Sequence, residues 1–183
     1  YDVAPEPVRA LMDLTYQTLQ RPESDILGLT GKNLILKDNQ LVLRVKQAKV
    51  KGTTGRTVDI EITTALKKLI DVLIGGIVDK DRPLLCPTKG KSAGKRYTYD
   101  GISSMLRRAI AKANDRRQLQ KANPIPSFGF RDLKGKGATD MWNAGVPLER
   151  IQLLCGHEDK TTTERYVKQR WLATATPNNV PIA

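Results

Sequence analysis

The chain has 183 residues and carries 31 Lys and Arg against 19 Asp and Glu, a formal net charge of +12 at pH 7. That length suits one domain, or a large one with a small appendage, and buries a core without disulfide or metal staples. The charge surplus points to a polyanionic partner, nucleic acid ahead of an anionic membrane; no apolar run approaches a membrane span, and no signal-peptide pattern opens the chain.

Residues 1–7 form an entry segment with Pro5 and Pro7. Apolar spacing at Val8, Leu11, Met12, Leu14 and Leu19 predicts a helix over 8–19. Pro22 interrupts it, and Ser24 is placed to cap a short helix over 25–29. Three short runs rich in Leu, Val and Ile follow at 33–36, 41–45 and 56–62. Lys37-Asp38-Asn39-Gln40 turns between the first two, and Gly52-Thr53-Thr54-Gly55 lies in the longer loop before the third. They predict a small antiparallel three-stranded sheet. Thr63 or Thr64 then caps a helix reaching about Ile74, ended by Gly75-Gly76.

Residues 79–98 read as a basic loop with Lys89, Lys91, Lys95 and Arg96. Further helices are expected over 100–114, 131–143 and 148–155, and a last one from Thr161 or Thr162 that bears Tyr166. The tail, about 174–183, reads as extended. The expected class is therefore α+β and mainly α, a helical domain with one small sheet. Cys86 and Cys155 both lie in apolar surroundings and read as buried free thiols in a reducing compartment, without zinc-ligand spacing. Residue 1 is Tyr rather than Met, which suggests a fragment of a longer protein.

Charge is unevenly spread. Residues 1–30 hold Arg9 and Arg21 against Asp2, Glu6, Asp13, Glu23 and Asp25, whereas cations collect on the sheet loops, on 89–121 and around the last helices. Such clustering is the footprint of phosphate-backbone binding; its plain alternative is a solvated basic surface. The only histidine, His157, precedes Tyr166 by nine residues. A tyrosine among cations near a histidine is either a phosphate-attacking nucleophile or a half-buried packing residue. Tyr97 and Tyr99 read as DNA-facing or packing residues, and Trp171 as a core or tail-docking one.

Five ordered stretches resemble the catalytic domain of the tyrosine recombinase (phage integrase) family. The segment Thr18-Leu19-Gln20-Arg21-Pro22-Glu23-Ser24-Asp25-Ile26-Leu27-Gly28-Leu29 is similar to the family's first arginine box. Gln47-Ala48-Lys49, ahead of Gly52–Gly55, resembles the hairpin with the family's catalytic lysine. Phe130-Arg131-Asp132-Leu133-Lys134 stands where the family has its His-x-x-Arg box. Leu153-Leu154-Cys155-Gly156-His157 resembles its Leu-Leu-Gly-His box, and Thr162-Thr163-Glu164-Arg165-Tyr166 its nucleophile box. One departure matters: Arg131 and Lys134 replace the usual histidine and arginine. Arginine binds two phosphate oxygens with a planar fork, whereas lysine is a point charge, so phosphate binding is expected to survive and transition-state stabilisation to weaken.

The resemblance implies the DNA breaking-rejoining fold over residues 1–173, with 174–183 as a tail docking on a neighbouring protomer. It implies site-specific cutting and rejoining of double-stranded DNA through a 3′-phosphotyrosyl link, without metal, ATP or other cofactor. Tyr166 would be the nucleophile. Arg21 and Lys134 would grip the non-bridging oxygens, each contact worth about 3 kcal/mol by analogy with an oxyanion donor. Lys49 would protonate the leaving 5′-oxygen, with Lys51 and Lys46 as rivals. His157 would donate to a phosphate oxygen, and Arg131 would orient the phosphate, since a guanidinium is a poor base. A free tyrosine ionises near pH ~10, so its phenol needs neighbouring cations to become a nucleophile. The implied assembly is a homo-tetramer on DNA in the cytoplasm of a bacterial host, with a further DNA-binding domain N-terminal to this chain. Two rival readings stay open: a DNA-binding relic disabled by Lys134, and a type IB topoisomerase.

Overall fold

The computed structural model describes residues 1–48, 56–75 and 79–168. Six helices and one sheet are built there: α1 Glu6–Thr18, β1 Leu34–Lys37, β2 Gln40–Lys46, β3 Thr57–Glu61, α2 Thr64–Ile74, α3 Tyr99–Leu119, α4 Phe130–Asn143, α5 Leu148–Cys155 and α6 Lys160–Lys168. A π-helical turn, Pro22–Ile26, and a 3-10 turn, Gly31–Asn33, connect α1 to the sheet. No helix among the described residues is long and apolar enough to cross a membrane.

The sheet is antiparallel in the order β1-β2-β3. Asp38 and Asn39 both take positive φ, 48° and 61°, the backbone of a two-residue hairpin whose twist matches its strands. Leu43, Val45, Val58 and Ile60 face the core. On the outer face Arg44 pairs with Asp59 through two hydrogen bonds of 2.6 and 2.8 Å. With Lys37 as a second partner, Asp59 is held well below the usual carboxylate range. The main core joins this sheet face to Val8, Leu11 and Leu14 of α1, Leu66 and Ile70 of α2, Ile102 and Leu106 of α3, and Phe130. A smaller core of Leu19, Ala138, Leu148, Ile151, Cys155 and Val167 holds α4, α5 and α6 together.

The two cores meet where α1 crosses α4. A Cβ at Gly137 would lie 2.6 Å from both the Tyr16 carbonyl oxygen and Leu19 Cδ2, so only glycine lets the helices approach this closely. Tyr16 also donates from its hydroxyl to Asp140 Oδ2 at 2.7 Å.

Several expectations need correction. The short helix over 25–29 is instead the π-turn Pro22–Ile26, because Pro22 starts the turn three residues earlier. Ser24 does not cap it: its hydroxyl donates to Asp25 Oδ1, and Asp25 Oδ2 accepts the Arg21 backbone N–H. Helix α3 continues five residues beyond Asn114, carried by Arg and Gln, which are good helix formers. Helix α6 begins at Lys160, where Asp159 Oδ1 accepts the Thr161 N–H. Thr63, rather than Thr64, caps α2, and Gly75 ends it in the left-handed conformation. Both cysteines are free, but only Cys155 is buried; Cys86 is half-buried and accepts a hydrogen bond from Arg82. Tyr99 is a packing residue, its ring 6.5 Å from that of Phe130. Lys49, Lys51, Gly52–Gly55, Gly76, Trp171 and the tail 174–183 lie outside the described residues.

Candidate active site

The site begins where α1 ends. Leu19 takes a left-handed backbone, φ 53°, and its N–H donates to the Thr15 carbonyl, closing the helix. Three residues later Pro22 disfavours the α conformation for its predecessor, and Arg21 is extended, with φ −71° and ψ 125°. That turn swings Arg21 out of the α1 axis with its side chain half-exposed. Asp25, only 4% exposed, collects the turn. Its Oδ2 accepts the Arg21 backbone N–H at 3.0 Å and faces the Arg21 guanidinium at 3.7 Å. Its Oδ1 accepts the Ala48 backbone N–H at 3.1 Å. One buried carboxylate thus ties the arginine turn to the chain leaving β2, toward Lys49.

A buried amide pair lies beneath. Gln20 donates to the carbonyls of Thr18 and Leu154 at 2.9 and 2.6 Å. Gln47 donates to Gln20 Oε1 at 2.8 Å and to the Cys155 carbonyl at 3.0 Å. The Leu154 and Cys155 carbonyls at the end of α5 are therefore satisfied by side chains that follow α1 and β2. Gly156 makes this possible: its φ is 69°, and a Cβ there would meet Gln47 Nε2 at 2.1 Å.

Lys134 projects from α4 into the same place. It is 5% exposed, and its ammonium donates to the Cys155 carbonyl at 3.2 Å. Burial, chiefly, lowers its pKa below the ordinary lysine value; the nearby Arg21 charge adds to this. Past Gly156 the chain reverses. The His157 N–H donates to the Gln152 carbonyl, and Arg56, at the start of β3, donates to the His157 carbonyl at 3.3 Å. The His157 ring is pinned on two sides, by Thr163 Oγ1 at 3.0 Å from Nδ1 and by the Tyr166 ring at 5.6 Å. Desolvation, then the charges of Lys134 and Arg21, pull its pKa down to about 4, so the ring is neutral at pH 7.

Arg21, Arg131, Lys134, His157 and Tyr166 all line one open cleft of about 670 Å³, with Glu23, Ser24, Ala48 and Thr162. Five of the six residues singled out in the sequence thus share one wall-to-wall space. The sixth, Lys49, lies outside the described residues, one position past the cleft-lining Ala48. Arg131 is at the rim. Its side chain is 71% exposed, pairs with Glu23 Oε2 at 2.5 Å and lies over the Tyr99 ring at 5.4 Å. Tyr166 is 36% exposed and reaches the cleft from α6. The arrangement can hold a doubly coordinated anion against Arg21, Lys134 and His157, with a phenol beside it.

Sequence reading gave no role of their own to Asp25, Gln20, Gln47, Arg56 and Thr163. The first three carried little signal, since Gln20 and Asp25 lie in the polar stretch Gln20-Arg21-Pro22-Glu23-Ser24-Asp25 and Gln47 lies between Lys46 and Ala48-Lys49. Arg56 and Thr163 carried none, since their partners are brought close only by the fold.

A family model described as the phage integrase family matches residues 2–171. No curated protein matches the chain. Among solved structures, the Tn1549 transposon integrase in complex with circular intermediate DNA is similar at 19% identity and a TM-score of 0.65, over 93% of this chain and 54% of that one. A lambda integrase dimer bound to a COC′ core site is similar at 19% identity and 0.65, over 96% and 57%. The XerH site-specific recombinase bound to palindromic difH substrate is similar at 22% identity and 0.59, over 88% and 42%. The chain therefore spans about half the length of these relatives, and at such identities the likeness is one of fold. The protein belongs to the phage integrase family and has the fold of the tyrosine recombinase catalytic domain.

Proposed function

We propose that this chain cuts and rejoins double-stranded DNA by transesterification, with Tyr166 as the nucleophile. The observation that carries this reading is the convergence of Arg21, Lys134, His157 and Tyr166 on one cleft from four separate elements. The phenol gives its proton to water, and its oxygen attacks the phosphorus of a backbone phosphodiester. The bond to the 5′-oxygen breaks, and a 3′-phosphotyrosyl link remains. Arg21 and Lys134 donate to the non-bridging oxygens as charge builds on them, and His157 adds a neutral donor. The departing 5′-oxygen takes a proton from Lys49, which follows the cleft-lining Ala48 in sequence. Attack of a second strand's 5′-hydroxyl on the phosphotyrosine reverses these steps. The energy of the broken phosphodiester is conserved in the link, so neither ATP nor metal is needed. The DNA complexes of the lambda and Tn1549 integrases support a DNA substrate, and so does the net charge of +12. In this reading residues 1–173 are the catalytic unit. The working assembly is a tetramer on two duplexes, with residues 174–183 docked on a neighbour and further DNA contacts from an additional domain.

A second reading has one observation in its favour. Lys134 stands at the second phosphate-gripping position, buried and already bonded to the Cys155 carbonyl. A domain in which that substitution stopped strand transfer would bind DNA without cutting it. A duplex nicked next to the cleavage point, which traps the covalent step, separates the two. The first reading expects a protein–DNA adduct. The relic reading expects binding with no adduct until Lys134→Arg is introduced. Relaxation of supercoils without strand exchange would indicate a type IB topoisomerase instead.

A further inference from the structure

Four buried threonines sit in helices among the described residues, and three of them behave alike. Thr15, Thr18 and Thr139 each donate their hydroxyl proton to the carbonyl four residues back, at 2.7, 2.5 and 2.9 Å. Thr163, fully buried on α6, does not. Its oxygen lies 3.0 Å from Nδ1 of His157, and that nitrogen is its hydrogen-bond partner among the described residues.

A contact between a hydroxyl and an imidazole nitrogen can run either way. If Nδ1 carried the proton, Thr163 would accept it, and the buried hydroxyl proton would be left without an acceptor. If Nδ1 carries the lone pair, the hydroxyl proton is satisfied. The second arrangement also sets the opposite side of the ring, because the hydrogen bond at one imidazole nitrogen decides the state of the other. We propose that Thr163 is a positioning residue whose hydroxyl donates to His157 Nδ1 and fixes the neutral ring as the Nε2–H tautomer, with that N–H offered to the cleft.

Nε2 has no protein partner among the described residues, and His157 lines the cleft. An Nε2–H there meets a non-bridging phosphate oxygen as a donor; the other tautomer would set a lone pair against that oxygen. The Tyr166 ring lies tilted against His157 at 5.6 Å, so Thr163 also sets which face the imidazole turns to the nucleophile. The tautomer is independent of the proposed strand transfer; its catalytic consequence rests on that reading.

His157 is the only histidine, so a long-range proton–nitrogen correlation spectrum of the labelled chain contains a single ring. At neutral pH the expected spectrum shows Nδ1 unprotonated and hydrogen-bonded, and Nε2 protonated. In Thr163→Val, which keeps the shape and drops the hydroxyl, the Nδ1 resonance should move to that of a nitrogen without a donor. The single-turnover rate on nicked DNA should fall about tenfold or more, as when a partner that orients a functional histidine is removed. DNA affinity should hold, and Thr163→Ser should restore both spectrum and rate. A protonated Nδ1 in the unmodified chain overturns the inference, as does a Thr163→Val protein with an unaltered ring spectrum or an unaltered rate. If that variant does not fold, the spectrum of the unmodified chain decides alone. If the spectrum is as expected but no adduct forms with any variant, the tautomer assignment stands and the strand-transfer reading fails.

Discussion

The backbone N–H of Ala48 donates to the buried carboxylate of Asp25 at 3.1 Å. The same carboxylate accepts the backbone N–H of Arg21, so the turn carrying Arg21 and the chain leaving β2 at Ala48 share one anchor. Asp25→Asn removes the charge and turns an amide N–H toward one of the two donors. Losing a charged acceptor that serves two buried donors should cost about 2–3 kcal/mol in urea unfolding. It should also slow adduct formation on nicked DNA with little change in DNA affinity. Unchanged unfolding and unchanged cleavage would mean that the anchor holds neither segment.

Lys134 gives the site a characteristic pH limit. Burial holds its pKa below the ordinary value of 10.5, so as the pH rises its charge is lost earlier than that of an exposed lysine. Adduct formation should decline on this alkaline side. In Lys134→Arg the guanidinium stays protonated, the decline should vanish, and the rate at neutral pH should rise. Lys134→Met should lower the rate about 100-fold or more. An alkaline decline that survives in Lys134→Arg would assign it to a different group.

His157 links folding to pH in the acid range. Its pKa is pulled from 6.5 to about 4 in the folded chain. Below 6.5 the unfolded chain takes up a proton that the folded chain refuses, so the stability due to the neutral ring is complete above 6.5 and is lost as the pH falls toward 4. Urea midpoints should drop across this window, and His157→Gln should flatten the drop. Asp59, held below the usual carboxylate range, titrates beneath the window. An equal decline in His157→Gln would contradict the assignment.

Gly156 is the joint on which the histidine turns. Gly156→Ala meets a left-handed φ of 69°, which alone costs about 1–2 kcal/mol, and drives a Cβ into Gln47. Destabilisation should exceed the φ contribution, and the His157 ring spectrum should change with it. A variant as stable as the parent, with its ring spectrum unchanged, would show that Gln47 and the α5 end do not need this approach.

Much of the fold was legible because local chemistry and global packing agree. Asp38-Asn39 tolerates positive φ and marks the hairpin, Thr63 and Gly75 bracket α2, and the apolar spacing of α1 matches the face it buries. The π-turn was not legible. Proline, serine and aspartate all favour helix starts, and choosing Asp25 over Ser24 as the collecting group depends on Ala48, 23 residues away. In the site, Arg21, Lys134, His157 and Tyr166 were visible as ordered boxes, and the cleft unites them. Thr163 looked like one more threonine in a run of three, because its role exists only through the imidazole that faces it.

Tyr166 as the group that bonds to DNA is the central claim. Its most direct test is mass mapping of the peptide that remains linked to a nicked, labelled duplex after proteolysis. The expected result is a nucleotide-bearing peptide with the modification on Tyr166, formed without metal or ATP and absent in Tyr166→Phe. A modification on another residue, or an adduct that persists in Tyr166→Phe, would contradict it.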